Sequence, residues 1–134
     1  MSCNILKGKK GIIFGALNEQ SIAWKAAQRV VEEGAEIVLT NTPISLRLGA
    51  INKLAEETNS IVVPADATCV ADLEMLVDKA MEQFGGQFDF VLHSIGMSPN
   101  VRKNIPYEST NYDFMNKTLD ISAISFHKLL KVLY

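Results

Sequence analysis

The sequence predicts an α/β fold, a doubly wound parallel sheet flanked by helices, and three observations carry that prediction. Short apolar runs recur along 134 residues, stretches with apolar residues at helical spacing separate them, and glycine, proline or hydroxyl residues stand at the junctions. A chain of this length makes one domain, residues 1–134, able to bury roughly two-thirds of its unfolded surface.

The first run is Gly11, Ile12, Ile13 and Phe14, closed by Gly15. It is continuous rather than alternating, which suits a central strand covered on both faces. From Ser21 onward Ile22, Ala23, Ala26, Ala27, Val30 and Val31 recur with helical period, and Gly34 suits the carboxyl cap. Residues 37–40 predict a second strand. Thr42 and Pro43 then resemble a cap followed by proline in the first turn of a helix that reaches about Thr58. Residues 61–64 predict a third strand, ending on Pro64. A third helix spans about residues 71–84, with Leu73, Leu76, Val77, Ala80, Met81 and Phe84 on one stripe, and Gly85 and Gly86 stop it. Residues 88–92 predict a fourth strand, and 97–110, with Pro99 and Pro106, a surface loop. A last helix carries Met115, Leu119, Ser122, Phe126, Leu129, Leu130 and Leu133 as an apolar stripe still running at Tyr134, without a capping signal.

Strands alternating with helices of this length imply right-handed crossovers, so the natural topology is the first four strands of a Rossmann-type sheet, in order 3-2-1-4. A flavodoxin-like order is the alternative. Composition narrows function as well. Charged residues make up 21% and the net charge is -2, which provides no electrostatic footprint for nucleic acid or an anionic membrane. Cys3 and Cys69 lie far apart without a CxxC pair, and His93 and His127 are the only histidines, so neither a zinc knuckle nor a disulfide framework is expected. A reducing cytoplasm is the expected compartment. Residues 1–10 carry Lys7, Lys9 and Lys10 before an apolar run too short for a signal peptide or a membrane span.

Between the first strand and helix the chain reads Gly15, Ala16, Leu17, Asn18, Glu19, Gln20, Ser21. A strand-to-helix turn of this kind offers free backbone N–H groups and the positive end of a helix dipole, which favour an anion such as a pyrophosphate. The usual GxGxxG pattern is absent, since only its first glycine is present, and Ser21 as a simple helix cap is the plainer reading.

Gly15 followed six residues later by Ser21, Ile22 and Ala23 resembles the altered glycine motif of enoyl-acyl-carrier-protein reductases in the short-chain dehydrogenase superfamily. Three further matches come in order. Pro64, Ala65, Asp66 and Ala67 resemble that family's third-strand end; His93, Ser94, Ile95 and Gly96 its fourth-strand signature; Asp120, Ile121 and Ser122 its next-helix motif. The resemblance implies that Gly15 lets the cofactor approach the backbone, and that Ser21 and Ile22 present hydroxyl and N–H donors to the pyrophosphate. It implies that Asp66, with the backbone of Ala67, accepts from the adenine amino group, with capping of the third helix as the alternative role. Ser94, Ile95 and Gly96 would line the nicotinamide ribose, Ile121 would pack near the adenine, and Met97 and Ser98 would border the acyl thioester. Met97 also reads as a core or subunit-contact residue, and Ile121 as a core residue.

At the end of the second strand, where an acid would bind a ribose diol and a base a phosphate, stand Asn41 and Thr42, with Arg47 five residues on. A neutral Thr42 hydrogen-bonding the diol favours NAD (NADH) over NADP. His93 reads as structural; His127 receives no role.

The family's Tyr-x6-Lys pair has no match here, since neither Tyr107, Tyr112 nor Tyr134 has a lysine seven residues on, so no catalytic residue is expected in this chain. The resemblance implies the cofactor-binding half of a reductase acting on an enoyl substrate carried by acyl carrier protein, and a homo-oligomer, a tetramer, built partly on the last helix. With the motif expected beyond Tyr134, the fourth strand would form an edge and the last helix would leave its stripe uncovered. Another short-chain dehydrogenase, and a non-catalytic nucleotide-binding half-domain acting as sensor or assembly partner, are the alternatives.

Overall fold

Strand β1 (Lys10–Phe14) pairs in parallel with β2 (Glu36–Thr40) on one side and β4 (Phe90–His93) on the other, while β3 (Ile61–Val62) pairs with β2. The order is β3-β2-β1-β4, as the alternating pattern predicts. This computed structural model describes residues 2–134. Helix α1 (Ile22–Glu32) links β1 to β2, α2 (Pro43–Leu46) and α3 (Ala50–Glu57) link β2 to β3, and α4 (Val70–Phe84) links β3 to β4. Beyond β4 come α5 (Pro99–Arg102), α6 (Tyr112–Leu119) and α7 (Ser125–Leu133).

The continuous apolar runs are explained by a core on each face of the sheet. Ile12, Phe14 and Val38 meet Leu73, Leu76, Ala80 and Phe84 of α4 and Leu129 of α7. Ile13, Ile37 and Leu39 point the other way, to Trp24 and Ala27 of α1 and Ile51 and Leu54 of α3. Successive strand residues face opposite sides, so the sheet is wound on both.

Several boundaries and faces differ from expectation. The helix expected from Thr42 to Thr58 is two pieces, because Gly49 adopts a left-handed backbone (φ 74°) that ends one and starts the other. Thr42 does cap the first piece, accepting from Ser45 N–H, with Pro43 behind it. The third strand stops at Val62 rather than Pro64. Val63 N–H and Ala65 N–H still donate to Leu39 and Asn41 carbonyls, and Pro64 sits at the outer edge, where its missing N–H has no partner to lose.

The fourth strand runs Phe90–His93 rather than 88–92. In α1, Ile22 is 81% exposed while Trp24 is fully buried, so the apolar stripe is turned from the one the spacing suggests; in α4, Met81 is exposed. The predicted loop 97–110 holds α5 and a 3-10 turn at Tyr107–Ser109. Ser98 and Pro99 repeat there the cap-then-proline device of Thr42 and Pro43.

The last helix is also not uniform. Asn111 caps α6 by accepting from Phe114 N–H. A π-helical turn, Asp120–Ile124, then joins α6 to α7. The wider turn rotates α7 relative to α6, so Ser125 and Leu129 face the core while Met115, Leu119, Phe126, Leu130 and Leu133 stay exposed.

Candidate functional site

The carboxyl ends of the four strands form one edge, and the sheet order fixes what stands along it. From β3 to β4 the residues are Asp66 and Ala67, then Asn41 and Thr42, then the turn from Gly15 to Ile22, then Ser94 to Gly96. At ~4.8 Å per strand that edge spans about 14 Å.

The turn after β1 is built by Ser21 and Gly15. Ser21 Oγ accepts from both Leu17 N–H and Asn18 N–H at 3.0 Å, drawing the turn into a ring, and Asn18 Oδ1 accepts from Gln20 N–H. Ser21 holds the cap position of α1 but makes no side-chain bond to the helix, so the capping role is not the one it fills. Its hydroxyl proton donates to nothing among the described residues, nor do the N–H groups of Ile22 and Ala23, which open the helix. This donor set suits an anion.

Gly15 has φ 91°, and a Cβ there would lie 1.9 Å from the Ser94 carbonyl oxygen. The chain's own packing therefore requires glycine: the turn after β1 and the segment after β4 touch at that point. Gly96 is different, because a Cβ there would meet only Ser122 Oγ, at 3.9 Å, an ordinary contact.

Asp66 Oδ1 accepts from Thr68 N–H at 2.9 Å and from Thr68 Oγ1–H at 2.7 Å. It closes its own turn rather than capping α4, whose cap position is Cys69 with no side-chain bond. Asp66 N–H donates to Asp72. The second carboxylate oxygen of Asp66 accepts nothing among the described residues, leaving an acceptor at this end of the edge. Ala67 beside it is buried.

Thr42 Oγ1 accepts from Ser45 N–H and shares a hydrogen bond with Ser45 Oγ at 2.9 Å, which holds this neutral group at the end of β2. It can hydrogen-bond a hydroxyl group, and it carries no positive charge for a phosphate. Arg47 lies exposed at the end of α2.

The segment after β4 is held by the terminal helices. Met97 N–H donates to Ser122 Oγ (3.2 Å), and Ser122 Oγ donates back to the Met97 carbonyl (3.4 Å). Ser98 caps α5, and Ile95 packs on the α4-side core. Ile121 is half-buried within the π-helical turn. Lys128 Nζ donates to the Thr68 carbonyl and pairs with Asp120, tying the Asp66 turn to the same helical region.

His93 is anchored as a structural residue. Its Nε2 lies 2.8 Å from Ser125 Oγ, which donates to the Ile121 carbonyl at 2.7 Å, so Nε2 carries the proton and Ser125 accepts it. The ring lies between Phe14 and Phe126. Burial among them pushes its pKa below the ordinary 6.5.

Sequence reasoning missed Asn41 as a side chain, Ser122 and Ser125, and the terminal anchor at Glu33. Burial opposes a charge on Glu33, but N–H donors from Cys3 and Ile5 and the Arg29 guanidinium outweigh it and hold its pKa below the usual carboxylate value. Cys3 and Cys69 are exposed free thiols. No cluster of metal-binding side chains and no helix long and apolar enough to cross a membrane occurs among the described residues. An open depression of ≈ 440 Å³ lies between the outer side of the turn after β1, at Asn18, Glu19 and Gln20, and α3, lined by Trp24 and spanned by the Glu19–Lys53 ion pair.

Known proteins share this fold. A family model described as enoyl-(acyl carrier protein) reductase matches residues 15–134. The enoyl-[acyl-carrier-protein] reductase [NADH] 2 of Rhizobium meliloti (strain 1021) is 34% identical over 128 residues, 95% of this chain and 47% of that protein. Reductase [NADH] 1 of the same organism is 36% identical over 123 residues, covering 91% of this chain and 44% of that protein. The crystal structure of a FabI–NADH complex from Alistipes finegoldii superposes with a TM-score of 0.94 at 72% identity, over 96% of this chain and 46% of that one. The chain thus spans about half the length of the curated relatives it matches.

Proposed function

Since this chain belongs to the enoyl-(acyl carrier protein) reductase family, we propose that it forms the NADH-binding half of an enzyme reducing enoyl thioesters carried on acyl carrier protein, in fatty-acid synthesis. The observation that carries this reading is the order of groups along the sheet edge: an acceptor at Asp66, a neutral Thr42, the donor-rich turn at Ser21, then the segment at Ser94. That is the order adenine, ribose, pyrophosphate, nicotinamide ribose of an extended dinucleotide.

NADH, when bound, supplies a hydride to the β-carbon of the enoyl thioester. The chain's own residues bind and orient. Asp66, through its free oxygen, accepts from the adenine amino group, with Ala67 backbone and Ile121 packed beside it. The Ser21 hydroxyl and Ile22 N–H donate to the pyrophosphate, next to Gly15. Thr42 hydrogen-bonds the ribose diol, and its lack of a positive charge for a phosphate favours NADH over NADPH. Ser94, Ile95 and Gly96 line the nicotinamide ribose, and Met97 and Ser98 border the thioester. No reacting group is assigned to this chain.

The exposed residues Met115, Leu119, Phe126, Leu130 and Leu133 pack against other copies in a homotetramer, to be checked by sedimentation, where a monomer at micromolar concentration is the contrary result. The protein works in the cytoplasm, where the exposed thiols of Cys3 and Cys69 stay reduced.

Calorimetric titration with NADH and NADPH tests the binding reading: tighter binding of NADH is expected, and a folded sample that binds neither refutes it. In the protein carrying this chain, NADH oxidation is expected with an enoyl thioester; turnover of a 3-ketoacyl thioester alone would mark a different short-chain dehydrogenase.

A further inference from the structure

The end of β2 is the position at which an acidic side chain ordinarily reads the ribose diol, and here it is Asn41. Its side chain faces elsewhere. Asn41 Nδ2 donates to the Ala16 carbonyl at 2.9 Å, 25 residues away in the turn after β1, while Oδ1 accepts from Thr42 N–H at 2.8 Å. The two bonds fix the amide orientation, because a flip would set oxygen against oxygen and N–H against N–H. Ala16 is fully buried, and no other donor reaches its carbonyl among the described residues. The backbone joins in: the Asn41 carbonyl accepts from Ala65 N–H, and the Thr40 carbonyl from Gly15 N–H. One residue thus ties together the ends of β1, β2 and the segment after β3.

We propose that Asn41 is a positioning residue, a clamp whose amide proton holds the pyrophosphate-binding turn in its binding shape, and not a reader of the ribose. This rests on the NADH-binding reading above for its consequence in affinity, but not for its consequence in the turn. The clamp requires a donor. Asparagine has one, whereas the aspartate common at this position would hold Thr42 N–H but turn a carboxylate toward the Ala16 carbonyl.

The test uses N41D and N41A. In the cofactor-free protein, N41D should speed amide exchange of Leu17 and Asn18 severalfold while Ile12 and Ile13 in β1 keep their protection. Affinity for NADH and for NADPH should fall together, by about tenfold in N41D and about fivefold in N41A, leaving their ratio unchanged. N41A removes the donor without adding a charge and gives the same reading if N41D does not fold. The clamp is overturned if N41D binds NADH as tightly as the parent, or if the NADH to NADPH ratio shifts by tenfold or more, which would make residue 41 a ribose reader. If the parent binds no NADH, exchange decides: faster exchange in the turn keeps the clamp and removes the cofactor reading, and unchanged exchange removes the clamp.

Discussion

β2 and β4 pair with opposite edges of β1, yet Ile37, Val38, Leu39 and Thr40 are all buried while Phe90, Val91, Leu92 and His93 are each half-buried. Their sequences do not differ in apolar character enough to explain this. The cause is neighbours. β2 has a strand on each side and a helical layer on each face, whereas β4 has β1 alone, and the helix beyond it leaves much of its stripe open. A run of apolar residues therefore specifies a strand, and its place in the sheet decides how much that strand contributes to stability.

Shortening one leucine in each strand should separate the two most widely. Leu39→Ala, in β2, is expected to cost about 2–5 kcal/mol through lost burial and a residual cavity. Leu92→Ala, in β4, should cost about half as much, since water already reaches its surroundings. Urea unfolding measures both. Equal costs would mean that β4 is covered in solution as fully as β2.

Gly15→Ala probes the point where the two sides of β1 meet. A side chain there is strained at φ 91° and strikes the Ser94 carbonyl, so a loss of about 2–3 kcal/mol is expected. A loss below about 0.5 kcal/mol in the same assay would show that the turn yields and that the contact is not tight.

The smallest effect is that of pH on His93. Burial lowers its folded pKa below 6.5, so between the two values the unfolded chain binds more protons than the folded one. Stability is therefore full above about pH 6.5 and is lost as pH falls from there through the folded pKa. His93→Gln, which keeps a donor for Ser125, should flatten that part of the profile, and an unchanged slope would assign it to another group.

What the sequence made legible is what neighbours along the chain decide. The apolar runs placed the strands, Thr42 and Pro43 announced a helix start, and Gly85 a helix end, because each acts within a turn of its own position. Alternation with right-handed crossovers made 3-2-1-4 the natural order but left a flavodoxin-like order open, and the strand pairing decided between them. What stayed hidden depends on residues brought together by the fold: Ala16 with Asn41, Gly15 with Ser94 79 positions later, His93 with Ser125. Trp24 escapes the periodicity because Ile22 satisfies the same helical spacing, and only packing against Leu39 and Leu54 separates the two. Motif resemblance proposed positions that the fold gathers along one sheet edge, but it did not give their internal partners.

The π-helical turn at Asp120–Ile124 also constrains how this sequence can change over time. Exchanging a side chain there alters only that side chain's own contacts. Removing one residue would restore a regular helix but swing everything after it by about 100°, carrying Ser125 away from His93 and Leu129 out of the core. Related sequences should accordingly keep the length of this stretch even where its residues change, and a gap in it, where one occurs, should be matched by a compensating insertion before Ser125.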